Sequence, residues 1–102
     1  MPSRAAELLQ QLRIGRVLMM TVVTGTTAFG FGASTGRIAL AAGAAGLLSM
    51  GCFLLDHLFD LKRDTAGGGS TNPFAAGSIA PSTGRTLIAV LLAGAGVLAL
   101  LL

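Results

Sequence analysis

From Ile38 to Leu55 the chain runs for 18 residues without a charged side chain. As a helix this run would rise about 27 Å, close to the ~30 Å hydrocarbon thickness of a bilayer. It predicts a transmembrane helix, and it constrains the fold more than any other feature. Two apolar segments flank it. The first, Val17 to Ala33, is interrupted by Thr21, Thr24, Thr26, Thr27 and several glycines. The last, Thr86 to Leu102, is 17 residues long and rich in glycine and alanine. Small residues let helix backbones approach closely, and threonine can bond back to its own turn. Ala39, Gly43 and Leu47, with Ala42, Gly46 and Met50 beside them, form a small-residue packing surface on the middle span. The expected fold is all-α: a polytopic membrane protein with transmembrane helices at 17–33, 38–55 and 86–102.

Composition agrees. Charged residues are 11% of the chain, against about a quarter in an ordinary soluble domain, and mean hydropathy is +0.80. The net charge of +3 forms no basic stripe and meets no aromatic platform, so nucleic acid is not an expected partner. A single cysteine, Cys52, excludes an intrachain disulfide and reads as a small packing residue. Residues 3–13 read as an interfacial amphipathic helix, with Ala5, Leu8, Leu9 and Leu12 on one face and Arg4, Glu7 and Gln11 on the other. Arg4, Arg13 and Arg16 ahead of an apolar segment also outline a signal peptide, but the charged region is long and the cleavage site ambiguous. Arg4, Arg13, Arg16, Lys62, Arg63 and Arg85 flank one side of the spans and only Arg37 the other, which places the amino terminus and the 56–85 loop in the cytoplasm. The expected location is a plasma membrane of bacterial or archaeal type. Within the loop, Gly67-Gly68-Gly69-Ser70 reads as a flexible break, and residues 72–79 turn the chain back toward the membrane.

Three of the four acidic residues follow the middle span at a four-residue spacing, as Asp56, Asp60 and Asp64. Each such step on a helix turns about 40°, so the three carboxylates would share roughly 80° of one face. Like charges at this spacing are unfavourable unless a cation lies between them. Oxygen-only ligands suit Mg²⁺, which takes one or two carboxylates and completes its shell with water and substrate phosphate. Asp56, Asp60 and Asp64 are therefore candidate Mg²⁺ ligands. His57 reads as an interfacial polar residue, since Mg²⁺ favours oxygen, and no catalytic side chain is assigned.

From Gly51 to Arg85 the sequence resembles the first aspartate-rich region of the UbiA-type intramembrane prenyltransferases. Their pattern, Asn-Asp-x-x-Asp-x-x-x-Asp at the cytoplasmic end of the second helix, is followed by a loop commonly ending Arg-Pro-Leu-x-x-Gly-x-Ile/Val-Ser. The stretch from Asp56-His57 through Asp60 to Asp64 is in register with the first part, and the stretch from Asn72-Pro73-Phe74 to Ile79 with the second. Arg13-Ile14-Gly15-Arg16 is similar to the segment leading into that family's first helix. Asp56 stands where the family usually has asparagine, His57 where it has aspartate, and Asn72 where it often has arginine.

The resemblance implies Mg²⁺-dependent transfer of a prenyl group from a prenyl diphosphate to an aromatic or lipid acceptor. It implies Asp56 and Asp60 as metal ligands, Asp64 as a direct or water-mediated one, and Lys62 and Arg63 as diphosphate contacts. The family's bundle of about nine membrane helices needs roughly 270 residues. This chain would supply its amino-terminal third, with other membrane helices completing the bundle. The last span stops at Leu102 without an interfacial anchor, which fits that expectation. The alternative is a small non-enzymatic integral membrane protein related to the family.

Overall fold

The computed structural model describes residues 13–66, 72–77 and 79–102. They form four helices: α1 (Ile14–Gly30), α2 (Thr35–Phe59), the short α3 (Leu61–Ala66) and α4 (Pro81–Leu100). Among the described residues there is no strand. The expected interfacial helix, apart from Arg13, and the glycine run at 67–69 lie outside them.

Local chemistry sets each boundary. Gly32 adopts φ +77°, the left-handed conformation glycine takes without a side-chain penalty. The Ala33 amide then donates to the Ala28 carbonyl and the Gly32 amide to Phe29, both at 3.0 Å, the paired bonds of a Schellman motif. This closes α1 at Gly30, three residues before the expected end. Ser34 accepts from the Arg37 amide at 3.3 Å and opens α2 at Thr35, three residues before the expected start. Pro81 opens α4 five residues early, because its fixed φ suits the first helical turn and its missing N–H costs no bond there. The segment 56–85 is thus partly helical at both ends.

Helix α2 is the centre of the arrangement. It packs against α1 on one side and α4 on the other, while α1 and α4 share no packing contact. Small residues set both contacts. Gly25 lies against Ala42, and a Cβ on Gly46 would fall 2.7 Å from Thr21 Oγ1. On the other side Gly43 meets Leu98, Gly94 meets Leu47, and a Cβ on Gly51 would fall 2.8 Å from Leu92 Cδ2. Each register advances in opposite directions on the two partners, so both helix pairs are antiparallel. The small residues at 39–50, expected to make one surface, are divided between two: Ala42 and Gly46 serve α1, Gly43 and Leu47 serve α4. Thr21 and Thr27 bond back to the Val17 and Val23 carbonyls at 2.8 Å, as expected of threonine in such helices.

Helices α2 and α4, with 25 and 20 residues, are long and apolar enough to cross a membrane. At 17 residues α1 is apolar but shorter. Only 11% of the most apolar window of α2 and 17% of that of α4 is buried within the fold.

The main cluster of buried hydrophobic residues sits at one end, where Leu54, Phe74 and Ile88 meet and Leu55, Leu58, Leu61 and Ile79 pack against them. The Phe74 ring presses against Gly84 in the first turn of α4, where any Cβ would overlap its Cε1 and Cζ. Gly84→Ala should therefore destabilise the fold by about 1–3 kcal/mol through overpacking. Gly96→Ala, at a helical glycine with open space around it, should be neutral or stabilise by about 0.5–1 kcal/mol. Unfolding of the two variants in detergent, followed by circular dichroism, checks the contrast; equal effects would show that Phe74 does not need this glycine.

Candidate functional site at the aspartate-bearing end

The antiparallel order brings the start of α1, the end of α2 and the start of α4 to one end of the molecule. That end carries Arg13, Arg16, Asp56, Asp60, Lys62, Arg63 and Arg85, while Arg37 lies at the start of α2, at the other end. The Arg13 guanidinium stacks over the Phe53 ring at 5.9 Å, which ties the start of α1 to the last turns of α2.

Asp56 is exposed in the last turn of α2, and Asp60 caps that helix with its amide donating to the Asp56 carbonyl at 3.0 Å. Their one-turn register is therefore kept. It does not continue unchanged to Asp64. Asp60 has φ −86° and ψ 0°, away from helical values, so the chain leaves α2 and restarts as α3. The backbone of Asp64 belongs to α3, and its side chain lies outside the described residues. A regular 40° step through all three aspartates does not apply across this break.

Two carboxylates at a helix C-terminus also face the negative end of the helix dipole, a further cost of about 0.3–1 kcal/mol each. The Arg63 guanidinium offsets part of it, lying 3.1 Å from Asp60 Oδ2. Both side chains are well exposed. Arg63, expected to contact diphosphate, is thus placed on one of the expected metal ligands, and Lys62 is exposed beside it. Among the described residues no three His, Cys, Asp or Glu side chains are grouped so as to hold a metal ion.

Two expectations change at this end. His57, expected to be an interfacial polar residue, is buried within the fold at 6% exposure, and its carbonyl accepts from Asn72 of the turn at 72–77. Cys52, expected to pack, is exposed on the outer face of α2.

The residue that sequence reading missed is Asn72. It is fully buried, and its side chain works in both directions. Oδ1 accepts from the Phe74 amide at 3.0 Å and the Ala75 amide at 3.4 Å, while Nδ2 donates to the His57 carbonyl at 2.6 Å. The Ala76 amide donates to the Asn72 carbonyl at 2.9 Å and closes one helical turn. Asparagine followed by proline is the cap-then-first-turn signal that could have revealed this turn.

No family model matches the chain, and neither a curated protein nor a solved structure is significantly similar to it.

The exposure of the Asp60–Arg63 pair predicts little effect on stability. Arg63→Gln should change unfolding free energy by less than about 0.5 kcal/mol, as for other exposed ion pairs. A drop of several kcal/mol in a denaturant titration would show that the pair holds α3 in place.

Proposed function

We propose that this chain is an integral membrane protein with three spans, its amino terminus and the aspartate-bearing end in the cytoplasm of a plasma membrane. Support comes from the small buried share of α2 and α4. The core helix of a soluble protein is mostly covered, whereas these helices leave Leu48, Val90, Val97 and Leu100 exposed. Lipid is the solvent that such surfaces suit. Cysteines placed at Gly15, Gly36 and Thr65, after Cys52→Ser, should react with an impermeant reagent from the cytoplasm at 15 and 65 and from the opposite side at 36. Labelling of 36 and 65 from the same side would remove α2 as a span, and of 15 and 36 from the same side would remove α1.

Within that frame the proposed activity is prenyl transfer from a prenyl diphosphate to an aromatic or lipid acceptor, in concert with other membrane helices. The observation that carries it is a pair of solvent-accessible carboxylates, Asp56 and Asp60, one turn apart at the polar end of an apolar helix. That donor set fits the limited demand of Mg²⁺ bound together with a diphosphate, and it does not amount to an all-protein cage. Bound there, Mg²⁺ would neutralise charge developing on the departing diphosphate. Asp56 and Asp60 would hold the metal, and Asp64 would act directly or through water. Lys62 and Arg63 would meet diphosphate oxygens, which requires Arg63 to exchange Asp60 for the substrate. An apolar groove of about 440 Å³ between Ala44, Ala45 and Leu48 of α2 and Leu92, Ala95 and Ala99 of α4 supports the tail's placement. Along α2 it runs from about 12 Å (Leu48) to about 18 Å (Ala44) from Asp56, distances an isoprenoid tail can span. Because α1 does not line this groove, these helices leave the tail uncovered on one side, and the chain alone should show no turnover.

One observation favours the non-enzymatic alternative: Asp60 has a cationic partner within the chain, Arg63. Calorimetric titration of the lipid-embedded chain with Mg²⁺ plus a prenyl diphosphate separates the readings. The enzyme-related reading expects binding that Asp60→Ala weakens at least tenfold, about 1.4 kcal/mol or more. Binding unaffected by Asp60→Ala would take this residue out of the metal shell, and no binding at all would leave the non-enzymatic reading.

A further inference from the structure

We infer that Asn72 is a positioning residue for the aspartate-bearing turn: by gripping the His57 carbonyl it ends α2 and sets where α3 departs. An ending helix leaves its last four carbonyls without intrahelical donors. The Asp60 amide serves the Asp56 carbonyl, and Asn72 Nδ2 serves the next one, His57, from fifteen residues further along the chain. The donated bond therefore falls between Asp56 and Asp60, three residues before the one whose ψ of 0° breaks the helix. Asn72 is itself well held. It is fully buried, its Oδ1 is held by two amides, and Pro73 and Phe74 beside it are buried against the core. The turn at 72–77 thus acts as a fixed clamp on the end of α2, and the relative direction of Asp56, Asp60 and the helix bearing Lys62 follows from it.

Asn72→Ser and Asn72→Ala test this. Serine is a comparable helix cap, so it keeps the Phe74 amide satisfied, but its shorter side chain cannot also reach His57. Alanine removes both functions. Nitroxide labels on Cys52 and on a cysteine at Thr65 report the α2–α3 relation by electron paramagnetic resonance. The parent should give one narrow distance, and both variants a shifted or broadened distribution while retaining parental helix content. An unchanged distance in both overturns the clamp. The binding arm rests on the diphosphate reading above: with Mg²⁺ and geranyl diphosphate as probes, Asn72→Ser should lose at least tenfold in affinity. A changed distance with parental affinity would overturn Asn72 as a positioning residue. If the parent chain binds no geranyl diphosphate, the metal reading falls, and the label distances still decide the clamp.

Discussion

The close approach of α1 and α4 to two sides of a single helix is the constraint on which the rest of this structure depends. In a bilayer, lipid tails are as apolar as leucine, so helices gain little by hiding apolar surface from one another. Contact must come from packing at short range, and glycine permits it. Thr21 fits over Gly46, Leu92 over Gly51 and Leu98 over Gly43 because those positions lack a Cβ. The same glycines weaken helix propensity, by up to about 1 kcal/mol each relative to alanine. Their placement along both seams of α2 is explained by contact and not by local preference.

The polar end is built on different physics. In the membrane placement proposed above this end lies in water, where burial of apolar surface again drives assembly, and here the chain has its hydrophobic cluster of Leu54, Phe74 and Ile88. A turn laid over that cluster brings backbone polar groups into the interior, and each must find a partner. Asn72 supplies three such bonds from one side chain. The seam glycines and the Asn72 clamp thus meet at the last turns of α2: Gly51 accommodates Leu92 just before the point where His57 is gripped. Packing in the apolar region fixes the rotation of α2, and the clamp fixes where it stops.

Much of the fold was legible because apolar runs, threonines and small residues speak directly to helices in lipid. The helix ends were displaced by several residues for identifiable reasons. Gly32 and Ser34 are strong stop and start signals within an uncharged stretch, where hydropathy gives no contrast. Pro81 extends α4 into a segment whose polarity argues for a loop. The assignment of small residues to two faces could not be read from spacing alone, since four-residue periodicity is common to both seams. At the site, spacing placed Asp56 and Asp60 correctly, one turn apart at the end of α2. It assumed one helix through Asp64, and the break at Asp60 depends on Asn72, a partner fifteen residues distant. Burial of His57 is likewise not visible from local spacing, since it depends on how distant segments pack at this end.

The aspartates themselves show why local cost is informative at this end. Asp56 and Asp60 repel each other and oppose the dipole of the helix they terminate, and an exposed ion pair with Arg63 returns little of that cost. Substituting asparagine at either position would relieve the repulsion while keeping an oxygen ligand in place. A chain that carries carboxylates here, beside Lys62 and Arg63, has at one end both the charges that attract a divalent cation and those that attract a phosphate. All of them lie within the nine residues from Asp56 to Asp64, with Lys62 and Arg63 between Asp60 and Asp64 in sequence. Arg63 lies between the roles, paired with Asp60 in this structure and adjacent to Lys62 in sequence. Prenyl transfer is proposed for this end because its substrate would bring a diphosphate to the cations and, with it, a metal to the carboxylates.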